Sequence, residues 1–156
     1  MADFGYRKQM LLVNFSWSSS IYLRVEDREL DMHNHYNFVG LSYDVQTRTV
    51  VLSWRRATGA WVDRDIPDQV SITLTGIHHF HFKPRDAALP FSEDDCLASF
   101  GYDCDDQGAD GQFWTDAPPD PSWRWSFEFQ SGAEIVLRGE RAVAKVLFAP
   151  NGDNTA

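Results

Sequence analysis

Apolar and polar residues alternate along most of this chain, the pattern expected of β-strands that bury one face. Ile21, Leu23 and Val25 alternate with Tyr22, Arg24 and Glu26. Val39, Leu41 and Tyr43 share a phase, residues 44–48 supply a turn, and Val50, Leu52 and Trp54 resume the phase, which predicts a hairpin. A turn-rich stretch with Gly59, Asp63, Asp65, Pro67 and Asp68 follows. The longest strand is expected over 70–82, with Val70, Ile72, Leu74, His78, Phe80 and Phe82 in phase and Gly76 where a bulge or close backbone approach fits. Pro84 and Pro90 end it.

Trp123, Trp125, Phe127 and Phe129 alternate strictly with Arg124, Ser126, Glu128 and Gln130. Such a row can form a stacking platform for a sugar or a base. Because each large aromatic buries about 150–250 Å² in a core, these residues, with Trp17, Trp54 and Trp61, are read instead as inward-facing. Turns at Ser131-Gly132 and Gly139-Glu140 then divide residues 123–148 into a three-stranded meander.

One segment departs from period two. Ser92 suits a helix N-cap, Glu93, Asp94 and Asp95 suit a first turn, Leu97 and Phe100 stand three apart, and Gly101 can end the element. The spacing predicts a short helix near 93–100. The expected fold is therefore all-β and mainly antiparallel, with about seven or eight strands in a sandwich or strongly curved sheet and one short helix. Its size suits a single domain over residues 1–150, followed by a polar tail at 151–156 that is expected to fray.

Charge sharpens this picture. The chain carries 14 Lys and Arg against 23 Asp and Glu, a net charge of −9. Residues 92–120 account for all of that excess, because they hold Glu93, Asp94, Asp95, Asp103, Asp105, Asp106, Asp110, Asp116 and Asp120 with no Lys or Arg. The sign argues against nucleic acid, whose phosphates must be neutralised by cations, and against anionic membranes. It favours a basic partner. No apolar run is long enough to span a bilayer, and Asn14 and Ser16 break the short run after Arg7 and Lys8, so a cytoplasmic location is expected. There, Cys96 and Cys104 are expected to be unpaired thiols.

Candidate chemistry is sparse. Asp103, Asp105, Gln107 and Gly108 resemble the first half of a calcium loop, but Trp114 stands where the bidentate Glu belongs. The pairs His33/His35 and His79/His81 place two imidazoles about 6.6 Å apart if extended, which suits zinc only if the pairs are adjacent. Cys96 lies among carboxylates that raise a thiol, and no base stands at a useful spacing. No catalytic, phosphate-binding or cofactor motif is present, so no cofactor and no enzyme activity are expected.

The run Phe38-Val39-Gly40-Leu41-Ser42-Tyr43-Asp44, followed by Thr47-Arg48-Thr49-Val50-Val51-Leu52-Ser53-Trp54, resembles a hairpin of small β-rich bacterial proteins, some of them toxin-immunity proteins. The resemblance covers residues 36–82 and implies no functional residue by position. With the charge pattern it leads to the expectation of a non-enzymatic, immunity-like binding protein. Its contact residues with a basic protein would be Asp103, Asp105, Asp106, Asp110 and Asp116, with Phe113 and Trp114 as apolar anchors. The alternative is a divalent-metal or small-ligand-binding β domain built on Asp103, Asp105, Gln107, His79 and His81. An uncovered edge strand would permit a dimer, but nothing in the pattern sets an oligomeric state.

Overall fold

A computed structural model describes residues 10–103, 112–114 and 120–150, so the tail at 151–156 lies outside the described residues. These form an all-β, sandwich-like domain with strands β1 (Leu11–Val13), β2 (Phe15–Trp17), β3 (Tyr22–Val25), β4 (Arg28–Asp31), β5 (Tyr36–Asp44) and β6 (Thr49–Arg56). There follow β7 (Gln69–Thr75), β8 (His79–Lys83), β9 (Leu97–Asp103), β10 (Arg124–Phe129), β11 (Glu134–Arg138) and β12 (Arg141–Leu147). Three sheets result, in the orders β1-β12-β7-β6-β5, β8-β11-β10-β9 and β2-β3-β4. All pairings are antiparallel except β1 with β12.

The expected 70–82 strand is two strands in two sheets. β7 pairs with β12 and β6, whereas β8 pairs with β11. Gly76, at φ +66°, makes the bend, a backbone conformation costly for residues with a Cβ. The expected meander breaks at the matching place. After β11 the chain bends at Gly139 and Glu140 into the first sheet, and glycine is needed there because a Cβ on Gly139 would lie 2.9 Å from the Thr75 carbonyl oxygen. Glu140 N donates to Thr75 O (2.9 Å) and His78 N to Arg138 O (3.0 Å), so a hydrogen bond closes the ladder on each side of the corner. Strands that turn together at a corner are how two sheets share one core without a linker.

The helix expected near 93–100 is absent. A 3₁₀ turn, Phe91–Glu93, is followed by β9. Leu97 pairs with Phe129 and Ser99 with Glu128, so Ala98 is the extra residue of a bulge. That extra residue returns Phe100 to the face occupied by Leu97, and a spacing of three mimics a helical stripe. The three early acids are not a helix start; Pro90, without a side-chain cap, precedes the turn.

The core is one cluster. Val50, Leu52 and Trp54 of β6 and Val70, Ile72 and Leu74 of β7 face Trp125, Phe127, Ile135 and Leu137 of the second sheet, all at most 2% exposed. Trp17 from the third sheet lies 4.2 Å, ring to ring, from Phe100 and 5.0 Å from Trp125. The aromatic row of β10 is thus core, as its alternation predicts. Trp61 is not. It is 73% exposed, with its indole lying over Gly59.

Candidate functional site

The positions expected to carry function separate into three groups. Asp105, Asp106, Gln107, Gly108, Asp110 and Asp116 lie outside the described residues, as does Cys104. Asp103, at the end of β9, accepts a hydrogen bond from the guanidinium of Arg124 on the neighbouring strand at 2.6 Å, and both side chains are largely buried. Its carboxylate is committed to the scaffold. Phe113 exchanges two backbone hydrogen bonds with Tyr102 (2.8 and 2.9 Å), and its ring packs edge-on against Trp123 at 4.7 Å. Trp114 is 43% exposed and donates its indole N–H to Trp17 O at 3.3 Å. Beside them Gln112 donates to Ser126 O (2.9 Å) and Ser126 Oγ (3.1 Å) and is bonded to Ser99 Oγ. Residues 112–114 are therefore stitched onto the β9 edge of the second sheet. Gly101 permits this, since a Cβ there would meet Phe113 O at 2.7 Å.

The two histidine pairs do not meet. His79 and His81 lie on β8, at one edge of the four-stranded sheet, whereas His33 contacts the start of β9 at the other. Among the described residues no group of three or more His, Cys, Asp or Glu could hold a metal ion. His33 does approach Cys96, with Nδ1 3.7 Å from Sγ, a neighbour that no spacing in the chain announces. The pair is not a nucleophile and base. Nδ1 is 2.5 Å from the Leu97 carbonyl oxygen, which can only accept, so this nitrogen carries the proton and cannot take one. Burial, then Glu93 and Asp95, push the free thiol of Cys96 above its ordinary range.

A different site emerges where the two main sheets part. At the β5 bulge the register slips between Phe38 and Gly40, which leaves Val39 58% exposed, and Phe38 N donates to Asp95 O at 2.7 Å. Between this bulge and the end of β8 lies a cleft of about 440 Å³, lined by Phe38, Phe82, Phe129 and Ile135 among others. Its polar groups are few, as is common for binding pockets. Arg85 donates from Nε to Asp94 Oδ1 (2.8 Å) and from one terminal nitrogen to Leu89 O (2.7 Å) and Pro90 O (2.9 Å), while its guanidinium lies 4.5 Å over the Phe91 ring. The bond from Arg85 holds the Asp94 carboxyl below its usual range. Phe91 is 81% and Phe82 51% exposed. Asp95 also lines the cleft; among the described residues its half-buried carboxylate has no hydrogen-bond or ion-pair partner.

Comparison with protein-family models, with curated proteins and with solved structures gives no match. Among the described residues no helix is long and apolar enough to cross a membrane.

Proposed function

We propose that this chain is a non-catalytic binding protein that docks a basic protein partner on the face containing the β5–β8 cleft. The observation that carries the reading is the cleft with its collar: an apolar hollow of about 440 Å³ bordered by the exposed Val39, Phe82 and Phe91. Exposed apolar groups gathered around a hollow mark interaction surfaces more often than scattered ones do. The net charge of −9 supplies the preference for a basic surface and speeds the encounter. An immunity-like role, in which this face covers a basic region of a toxin, is one form of the reading.

The proposed apolar contact is the cleft rather than Phe113 and Trp114; of the aspartates expected to meet the partner, Asp105, Asp106, Asp110 and Asp116 lie outside the described residues. Asp103 is held by Arg124, and Phe113 and Trp114 make intramolecular bonds. Site-specific photo-crosslinking in the native host tests the proposal. A crosslinker at Val39 should trap a basic protein in a salt-sensitive manner, whereas one at Lys145, exposed on β12, should not. Equal trapping from both positions, or none from Val39, refutes it.

A further inference from the structure

From this docking reading, and resting on it, we infer that the cleft takes a Lys or Arg side chain of the partner, with apolar residues beside it in the partner's chain. The argument begins with unbalanced charge. Arg85 and Asp94 neutralise each other, and Arg85 spends further donors on Leu89 O and Pro90 O, so neither is a free counter-ion. Asp95 remains. A carboxylate that lines an apolar cleft and has no internal partner is open to a cation brought to it, by a charge-assisted hydrogen bond. The neighbouring rings accept the same guest, because aromatic faces attract ammonium and guanidinium groups and the aliphatic stems of Lys and Arg pack on apolar walls.

The collar selects a polypeptide rather than a free cation. Val39 and Phe91 are exposed at the cleft's border, and a lone amine or guanidine seated at Asp95 would leave them wet. Residues flanking the basic one would cover them. The bulge serves this arrangement directly: the backbone of Asp95 ties down Phe38 while its side chain is left for the guest.

The test uses the full chain, labelled for amide NMR, and acetyl-Phe-Arg-Phe-amide as probe. Shifts are expected at the amides of Val39, Gly40, Phe82 and Asp95. The isosteric neutral peptide with citrulline should bind about tenfold or more weakly. Asp95→Asn should remove most of that difference, chiefly by weakening the arginine peptide. Equal affinity for the arginine and citrulline peptides overturns the cation assignment alone. Acetyl-arginine-methylamide binding as tightly as the tripeptide overturns the polypeptide occupant. If no peptide shifts the cleft amides, the docking reading falls, and this inference with it.

Discussion

The side chain of Asn14 pairs with the backbone of Ala144 as a strand would. Nδ2 donates to Ala144 O at 2.7 Å and Oδ1 accepts from Ala144 N at 3.1 Å. The pair continues the β1–β12 ladder one step past Val13 and Val143 while the main chain, at φ +59° on Asn14, turns away into β2. Asn suits both demands, since it tolerates the left-handed region and carries a donor and an acceptor. Asn14→Ala loses both bonds and keeps the strained φ, and should cost about 2–3 kcal/mol. Asn14→Gly relieves the φ and should cost less. Urea midpoints order the three proteins; an unchanged midpoint for Asn14→Ala would refute the role.

The corner glycines make a second, separable prediction. Gly139→Ala drives a methyl against the Thr75 carbonyl oxygen, a backbone atom that cannot swing aside. Gly76→Ala meets the Glu140 side chain at 2.7 Å and also occupies φ +66°. Each should lower stability by about 1–3 kcal/mol. Glu140→Ala should recover part of the Gly76→Ala loss and none of the Gly139→Ala loss, which a double-mutant cycle measures.

Glu128 and Glu134 face each other across β10 and β11. Burial first, then the Glu134 charge, raises the Glu128 carboxyl above its ordinary range. A carboxyl raised on folding binds its proton more tightly in the native state. Its stabilising contribution is present below the unfolded pKa and is lost as pH climbs through the raised value. Glu128→Gln should therefore be more stable than wild type at pH 7 by about 0.2–1 kcal/mol. The difference should close below about pH 4, where both forms are neutral. Denaturation across that range checks the sign; a less stable variant at pH 7 would contradict it.

How much of this could be read beforehand depends on where the governing contact lies. β6, β7 and β10 follow their own alternation, so Val50, Ile72 and Phe127 declare their buried face locally. Gly76 signals an irregularity, but its role as a sheet switch depends on Gly139, far along the chain. The bulge at Ala98 imitates a helical spacing because one extra residue in a strand and one turn of a helix both bring i and i+3 to the same side. The cleft was hidden for a related reason. Phe38, Phe82, Asp95 and Phe129 come from four segments, and none carries a spacing that would announce the others. The acidic stretch was visible as composition, yet composition could not reveal that Arg124 holds Asp103.

That ion pair gives a fourth prediction. Asp103→Ala removes the carboxylate 2.6 Å from Arg124 and should lower stability by about 1–3 kcal/mol, since hydrogen bonds between charged groups in a partly buried setting are among the stronger ones. Binding of the arginine peptide should be unaffected. A stability loss near zero with weakened peptide binding would return Asp103 to the contact surface.

Cys96 offers a kinetic check. With its thiol raised by burial and by Glu93 and Asp95, alkylation by iodoacetamide at pH 8 should be slower than for an unhindered thiol in the denatured chain. Glu93→Gln should speed it. Reaction at the free-thiol rate in the native protein would exclude the assignment.

At the corner, the Glu140–Thr75 bond closes the end of one main sheet and the His78–Arg138 bond closes the end of the other, on the same two continuous stretches of backbone. Opening one sheet at that end pulls on the backbone and the core that it shares with the other, so the two should not unfold as separate units. The amide protons of His78 and Glu140 would then be released only when the whole domain opens, and should exchange with solvent as slowly as those in the centre of β7, although both sit at a bend.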